Sequence, residues 1–195
     1  GALQSMKNRQ TLLLFSLTFI TFVMLFGAIL TYLPILIKEN YGLSAAQIGL
    51  LLSMMSVTSG LVSSQLGRIS KRFSGRSMIF AGMLSYLVAL LTIPLTTNIW
   101  ALLIPLLLFG FGQGINLPAI FNLLAAIAPL KYRAIFLSVN GALLRLGQTL
   151  GPVLMGMVYV FAGIQAVYWT SALMAAVFAI MVLFVKKQQA QASEN

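Results

Sequence analysis

The chain contains six apolar runs, each about as long as a helix that crosses a membrane. About 20 residues at 1.5 Å per residue are needed to cross roughly 30 Å of hydrocarbon. The runs are residues 11–37, 44–66, 77–95, 99–128, 132–161 and 164–185. Of the 195 residues, 60% are hydrophobic and 7% are charged, which leaves too little polar surface for a soluble globule of this size. The sequence therefore predicts an all-α integral membrane protein with six transmembrane helices.

Residues that begin or end helices lie between several of these runs. Gly42 separates the first two runs, and Ser44 followed by Gln47 forms a capping-box pattern at the start of the second. Asn98 is placed to cap the fourth run, and Pro129, which has no amide hydrogen, is placed to end it. These signals predict helix starts at the second and fourth runs.

Basic residues predict how the chain is oriented in the membrane. If the amino terminus starts in the cytoplasm, ten of the twelve Lys and Arg residues fall on the cytoplasmic side, and the positive-inside rule then places both termini there. Residues 1–10 would form a cytoplasmic segment or linker remnant, 11–187 the bundle and 188–195 a polar cytoplasmic tail. We expect a multi-pass protein of a bacterial inner membrane. The ten residues are Lys7, Arg9, Arg68, Lys71, Arg72, Arg76, Lys131, Arg133, Lys186 and Lys187.

The composition argues against an enzyme and against a nucleic-acid binder. The sequence contains no His, Cys or Asp, and its two acidic residues are Glu39 and Glu194. A catalytic triad, a Cys/His pair or a metal-ligand cluster cannot be assembled within the bilayer from these residues. We therefore expect no enzymatic activity and no cofactor. The net charge of +10 is explained by short basic loops, so it does not indicate a nucleic-acid partner.

One full charge, Arg145, lies near the centre of the fifth run. Ionisable side chains at bilayer depth usually face a bundle interior or an aqueous path, so they indicate a substrate or ion pathway. Two roles remain open for this guanidinium: binding an anion or a mobile acid, and static hydrogen bonding to carbonyl groups. The other candidates for the pathway can equally form hydrogen bonds between helices; they are Gln113, Asn116, Gln148, Thr18, Thr21 and Tyr32.

The runs form two groups of three, separated by the short segment 96–98. The third and sixth runs are apolar nearly all round, as expected for helices with large lipid contact, whereas the first, fourth and fifth carry the polar residues. Two groups of three helices with opposite membrane orientation form an inverted repeat, an architecture typical of transporters. We therefore predict a 3+3 inverted repeat.

Two motifs carry a resemblance to a known family. The segment 67–76, GRISKRFSGR, resembles the loop signature G-x-L-A-D-R-x-G-R-R of the major facilitator superfamily. Gly147, Gly151, Pro152 and Gly156 in the fifth run are similar to the helix-packing residues of its antiporter motif. The resemblance covers residues 11–185 and is closest to multidrug efflux members. It implies one half of a major facilitator fold.

Three residues depart from the family patterns. Lys71 replaces the acid of the loop signature, Ser74 looks inserted, and Met155 replaces a glycine. Such degeneracy is more typical of a carboxy-terminal half, so the runs would correspond to helices seven to twelve of the family. The resemblance then implies that the first and fourth helices line a cavity, the second and fifth flank it, and the third and sixth brace it. It also implies a gating loop with Arg68, Lys71, Arg72 and Arg76, whose other roles are topology anchor or lipid contact.

The resemblance implies a small-solute transporter that works by alternating access and needs a second six-helix bundle. That bundle is either a missing amino-terminal half or a second copy in a parallel homodimer. Because no Asp or Glu lies within an apolar run, a proton antiporter would need its acid from the other half, and a homodimer would be a facilitator or anion exchanger. The alternative is a membrane scaffold or receptor subunit that transports nothing; a channel is less favoured because no ring of acids is visible.

Overall fold

The computed structural model describes residues 6–184, and within them it confirms the six predicted membrane-length helices. We label them α1 to α6. The first four are α1 (Arg9–Tyr41), α2 (Ala45–Ser64), α3 (Gly75–Leu95) and α4 (Ile99–Ile127). The last helical stretch, Arg133–Leu183, is divided at Gly163 into α5 (133–162) and α6 (164–183). The predicted tail at 188–195, with Lys186 and Lys187, lies outside the described residues.

The predicted helix ends are confirmed where local side chains set them. The Ser44 side chain accepts a hydrogen bond from the Gln47 amide, and the Gln47 side chain accepts one from the Ser44 amide, which completes a capping box. The Asn98 Oδ1 atom accepts a hydrogen bond from the Ala101 amide at 2.8 Å. Gly42 ends α1 with φ of 64°, a left-handed conformation that glycine adopts without a steric penalty.

A single glycine separates α5 from α6. Gly163 has φ of 82° and ψ of 178°, a combination that is essentially restricted to glycine. Helical hydrogen bonding resumes immediately after it, so the two spans meet without a loop. The predicted boundary between the fifth and sixth runs is therefore a sharp turn at one residue.

The middle of α1 is a π-helix, which the sequence analysis did not predict. Met24–Tyr32 is π-helical, and α-helical geometry returns at Leu33–Tyr41 with Pro34 in its first turn. Thr31 donates its hydroxyl hydrogen to the Phe26 carbonyl at 2.7 Å, five residues back. Pro34 has no amide hydrogen to donate, which favours a change of hydrogen-bond pattern at this point. Segments of this kind often lie at functional positions.

The closest helix crossings follow the symmetry of an inverted repeat. At Gly147 of α5, an added Cβ atom would lie 2.6 Å from a carbonyl oxygen of α1, and at Gly114 of α4 it would lie 2.6 Å from a carbonyl oxygen of α2. Exchanging the two groups of three helices converts the first pair into the second, because α1 then corresponds to α4 and α5 to α2. α3 and α6, which correspond to each other, also meet, since Arg76 at the start of α3 contacts the Leu183 carbonyl at the end of α6. The predicted 3+3 inverted repeat is confirmed.

The core lies between five of the helices and leaves α2 at the edge. The largest fully buried side chains belong to the other five helices and include Leu14, Tyr86, Phe109, Phe136 and Tyr168. Only 17% of the most apolar window of α2 is buried, compared with 61% for α1. A long apolar helix is thus left largely uncovered by this bundle.

The loop that carries the family signature is partly helical. A single turn, Leu66–Ile69, follows α2, and Ser74 begins α3 by accepting a hydrogen bond from the Ser77 amide at 3.2 Å. Ser74 looked inserted in the signature, yet it is the N-cap of α3. Arg76 donates a hydrogen bond to the Leu183 carbonyl and so joins the start of α3 to the end of α6.

α1 and α3 begin at the same end of the bundle, and α6 ends there. We refer to this end of the bundle as the basic end. Eight of the predicted cytoplasmic basic residues lie in the described segments at this end: Lys7, Arg9, Arg68, Lys71, Arg72, Arg76, Lys131 and Arg133.

Candidate functional site

The inner face of α5 carries small and polar residues against α1. Asn140, Gly147, Gly151 and Met155 are all buried, and their offsets of seven, eleven and fifteen residues place them on one helical stripe. A Cβ atom added at Gly147 would lie 2.6 Å from the Phe19 carbonyl oxygen of α1. The two backbones are therefore in direct contact, which only a glycine allows.

The outer face of α5 carries Arg145. Its side chain is exposed, and Nη1 donates to Gln148 Oε1 one turn later at 3.4 Å. Gly141, Gln148 and Pro152 share this stripe and are partly exposed. At 1.5 Å per residue, Arg145 lies about 18 Å along α5 from Arg133, close to the midplane of a bilayer with about 30 Å of hydrocarbon. The bundle thus presents a guanidinium at membrane depth without covering it.

No carboxylate of the described bundle lies beside Arg145. Glu39 is the one acidic residue among residues 6–184, and it is exposed at the far end of α1 from the basic end. A guanidinium offers five N–H donors in a rigid fork that matches carboxylate and phosphate groups. Chemically, this position suits an anionic group that comes from outside the six helices.

A line of buried hydrogen bonds crosses the interior of the bundle. Thr18 on α1 donates to Asn140 Oδ1 on α5 at 2.8 Å. Three residues further along α1, the Thr21 hydroxyl oxygen accepts from Asn116 Nδ2 on α4 at 3.2 Å. Thr18, Thr21, Asn116 and Asn140 are all 0% exposed. α1 is therefore tied by polar contacts to both α4 and α5.

A further hydrogen bond joins α3 to α4 beside this line. Tyr86 on α3 donates its hydroxyl hydrogen to Gln113 Oε1 on α4 at 2.5 Å. Asn116 Oδ1 and Asn140 Nδ2 have no hydrogen-bond partner among the described residues. Buried polar atoms without partners destabilise a fold by roughly 1–3 kcal/mol each, so the line has unused hydrogen-bonding capacity inside the bundle.

The structure divides the predicted pathway residues into two sets. Arg145 and Gln148 lie on the outer face of α5, whereas Thr18, Thr21 and Asn116 are sealed in the interior and Gln113 is partly buried. Tyr32 is 8% exposed. The interior set also contains Asn140 and Tyr86, which the sequence analysis missed.

Tyr32 closes the far end of the crossing between α1 and α5. Its ring lies 5.2 Å from the ring of Tyr159, measured between centroids. A Cβ atom at Gly156 would lie 3.0 Å from the Tyr32 hydroxyl oxygen. Gly147, Gly151 and Gly156 of α5 therefore contact successive positions along α1, and Pro152 lies on the neighbouring outer stripe.

Met155 occupies space that a glycine on the facing helix leaves open. A Cβ atom added at Gly27 of α1 would lie 2.5 Å from Met155 Cγ and 2.8 Å from the Gly151 carbonyl oxygen. Ser171 on α6 contacts the Met155 sulfur at 3.4 Å. The departure from the antiporter pattern at Met155 is thus matched by a glycine on α1.

The predicted gating residues do not form one cluster. Arg68, Lys71 and Arg72 line an open cavity of about 520 Å³ together with Phe73, and Arg68 also donates to Gln65 Oε1 at 2.8 Å. Arg76 instead contacts the end of α6. Among the described residues, no three His, Cys, Asp or Glu side chains are grouped in a way that could hold a metal ion.

Comparison with known proteins gives consistent similarities. The sequence model of the Major Facilitator Superfamily matches residues 14–195. A triacylglyceride transporter of Mycolicibacterium smegmatis is 30% identical over 130 residues, which cover 66% of this chain and 23% of that protein. Multidrug resistance protein 3 of Bacillus subtilis is 29% identical over 136 residues, covering 65% and 25%. The matched part of this chain therefore spans about a quarter of the length of these curated relatives.

A solved structure shares the arrangement of the helices. The crystal structure of a mutant of the peptide transporter POT in complex with sulfate superposes with a TM-score of 0.69 at 16% identity. The match covers 89% of this chain and 37% of that one. At this identity the likeness concerns the fold alone.

Proposed function

Because the chain belongs to the Major Facilitator Superfamily, a family of transporters rather than enzymes, we propose that it is one six-helix half of a secondary transporter that works by alternating access. In this mechanism two bundles rock against each other around a site near the bilayer midplane. One bundle supplies one wall of the pathway, so a second bundle is required.

The uncovered Arg145 is the observation that carries this proposal. A guanidinium facing acyl chains at the midplane is costly, and such residues almost always face a bundle interior or an aqueous cavity. Within residues 6–184 it has Gln148 as its side-chain partner. A second bundle that covers the outer face of α5 would enclose the charge and place it at the boundary between the two halves.

The surface of α2 supports a second bundle independently. A Cβ atom added at Gly49 or Gly60 would meet no atom within 4 Å, whereas one added at Gly114 of α4 would lie 2.6 Å from the Ser59 carbonyl oxygen. Small residues at a helix surface allow another helix to approach closely. The open glycines of α2 thus favour contact with a helix outside this bundle.

The second bundle is either an amino-terminal half of a longer chain or a second copy of this one. The lengths of the relatives favour the first arrangement, since the matched part of this chain covers 23% and 25% of them. A second copy would have to lie parallel, with both basic ends at the cytoplasmic face of the inner membrane.

The proposed cargo is a small amphiphilic solute that is moved out of the cell. Two relatives are named for multidrug resistance and for triacylglyceride transport, which favours a largely apolar solute. Arg145 would hold an anionic group of the solute or a carboxylate of the second bundle. Because Glu39 is the one acid in residues 6–184, coupling to protons would need a carboxylate from the second bundle.

Reconstitution with and without the second bundle tests the half-transporter proposal. We expect proteoliposomes that contain this chain alone to accumulate a fluorescent amphiphile no faster than protein-free liposomes. Liposomes that contain the chain together with its amino-terminal bundle should accumulate it well above that level. The oligomeric state of the chain in nanodiscs is measured in parallel.

Three other outcomes have defined meanings. Transport by a monomer of this chain would contradict the need for a second bundle. Transport by a dimer of the chain would show that a second copy of the chain serves as the second bundle. A pair of bundles that moves no solute would favour the scaffold or receptor-subunit alternative.

A further inference from the structure

A cavity of about 500 Å³ lies at the basic end of the bundle, between the start of α1 and the end of α6. Lys7 and Arg9 contribute to its polar rim, and Leu12, Leu13, Met181 and Phe184 form its apolar wall. It is separate from Arg145 and from the buried polar line. Binding at this cavity therefore does not require the proposed transport function.

The charge of the cavity is positive and is not balanced by nearby residues of the described bundle. The first turn of α1 contains no acidic residue, and Glu39, the one acid in residues 6–184, lies at the opposite end of that helix. The N-terminal end of α1 adds the positive end of its helix dipole. The polar rim therefore favours an anion.

The apolar wall distinguishes this cavity from a site for a soluble anion. The wall is lined with apolar side chains. Leu12 is 50% exposed and Phe184 is 71% exposed, so the wall is also open at the side. Leu12 and Phe184 lie at the ends of membrane-length helices, so we expect them where acyl chains begin, directly below the headgroups. A free phosphate ion would gain no binding free energy from an apolar wall, whereas a phospholipid would bury its acyl chain against the wall.

The position of the wall is held by the neighbouring helix. Arg76 at the start of α3 donates to the Leu183 carbonyl, and a cation stabilises the carbonyl end of a helix. Phe184 immediately follows this contact. Arg76 is thus engaged with α6, while Lys7 and Arg9 line the cavity.

We propose that this cavity binds one anionic phospholipid, with its phosphate at Lys7 and Arg9 and the start of an acyl chain along Leu12, Leu13, Met181 and Phe184. Basic pockets between transmembrane helices on the cytoplasmic side are suited to such headgroups. The lipid joins the outer surfaces of α1 and α6 at a place where the two helices leave space between them.

Native mass spectrometry tests the lipid site directly. The full chain is reconstituted with equal amounts of phosphatidylglycerol and phosphatidylcholine, transferred into detergent, and the retained lipids are counted. We expect the wild-type chain to retain one phosphatidylglycerol in preference to phosphatidylcholine. The double variant K7Q/R9Q should lower that preference roughly tenfold or more, because each basic residue near the surface contributes on the order of 1 kcal/mol.

The matched control removes two other basic residues from the same end of the bundle. K131Q/R133Q changes the net charge equally and lies outside the cavity, so it should leave the preference unchanged. A third variant, Leu12→Ser, alters an exposed wall residue and should weaken lipid retention without unfolding the chain, which circular dichroism verifies.

Several results would overturn the proposal. Equal loss in both double variants would indicate diffuse surface charge, and no loss in K7Q/R9Q would show that Lys7 and Arg9 do not bind the lipid. Displacement of the lipid by millimolar inorganic phosphate, with Leu12→Ser behaving as the wild type, would identify a soluble anion site instead.

Discussion

Replacing Gly147 with alanine is expected to lower the free energy of unfolding by about 1–3 kcal/mol, the usual effect of inserting atoms into a packed interface. The added methyl group would lie 2.6 Å from the Phe19 carbonyl oxygen and 2.9 Å from Phe22 Cβ. Because the first of these atoms belongs to the backbone, α1 as a whole must move to relieve the clash. The measurement is unfolding of the full chain by SDS, followed by circular dichroism.

The same helix provides the control for this prediction. A Cβ atom at Gly141 would meet no atom within 4 Å, so Gly141→Ala keeps the packing and gains helix propensity. We expect a gain of about 0.5–1 kcal/mol, the usual advantage of alanine over glycine within a helix. Equal effects at the two positions would mean that the crossing between α1 and α5 is not as close as described.

Replacing Arg145 with glutamine is expected to reduce transport of anionic solutes by the complete two-bundle transporter roughly 10-fold to 100-fold. This range corresponds to the loss of one charge-assisted hydrogen bond, about 1.5–3 kcal/mol. Arg145→Lys should retain part of the activity because it keeps the charge but loses the planar fork. Uptake of one anionic and one cationic fluorescent solute is measured in proteoliposomes.

Two controls separate a transport role from a structural one. The side-chain hydrogen bond of Arg145 remains within its own helix, so the glutamine variant should change the free energy of unfolding by no more than about 0.5 kcal/mol. Lys38→Gln removes an exposed charge from the end of α1 that is opposite the basic end of the bundle, and it should leave uptake unchanged. If Arg145→Gln leaves uptake of both solutes at the wild-type level, the side chain has a structural role.

The helix ends could be predicted from the sequence because short-range contacts determine them. The cap at Ser44 depends on Gln47, and the cap at Asn98 depends on the amide of Ala101, three residues away in each case. The turn at Gly163 requires only that its backbone adopt a conformation that other residues avoid. Membrane length and composition then predicted the number of spans.

The π-helix could not be predicted in the same way because its surroundings are distant in sequence. Gly27 lies within it and faces Gly151 and Met155 on α5, more than 100 residues further along the chain. Pro34 was a local signal for a change in hydrogen bonding, but it does not specify which pattern precedes it.

The division of the polar residues also depends on partners that the sequence does not identify. Thr18 and Thr21 are spaced by about one turn, which fits an interior contact as well as a pathway. Their burial follows from Asn140 and Asn116 on two other helices. A signal for Asn140 was present, since it lies seven residues before Gly147 and therefore on the stripe that faces α1.

The pairing of Gly27 with Met155 implies that the two sides of this crossing accept substitutions unequally. Shortening Met155 would remove the contact with its Cγ atom, but a side chain at position 27 would still lie 2.8 Å from the Gly151 carbonyl oxygen. A smaller residue at position 155 therefore leaves a cavity and requires no change on α1, whereas any side chain at position 27 requires the two backbones to separate. The distance between the helices thus fixes the glycine, and the methionine fills the space that remains.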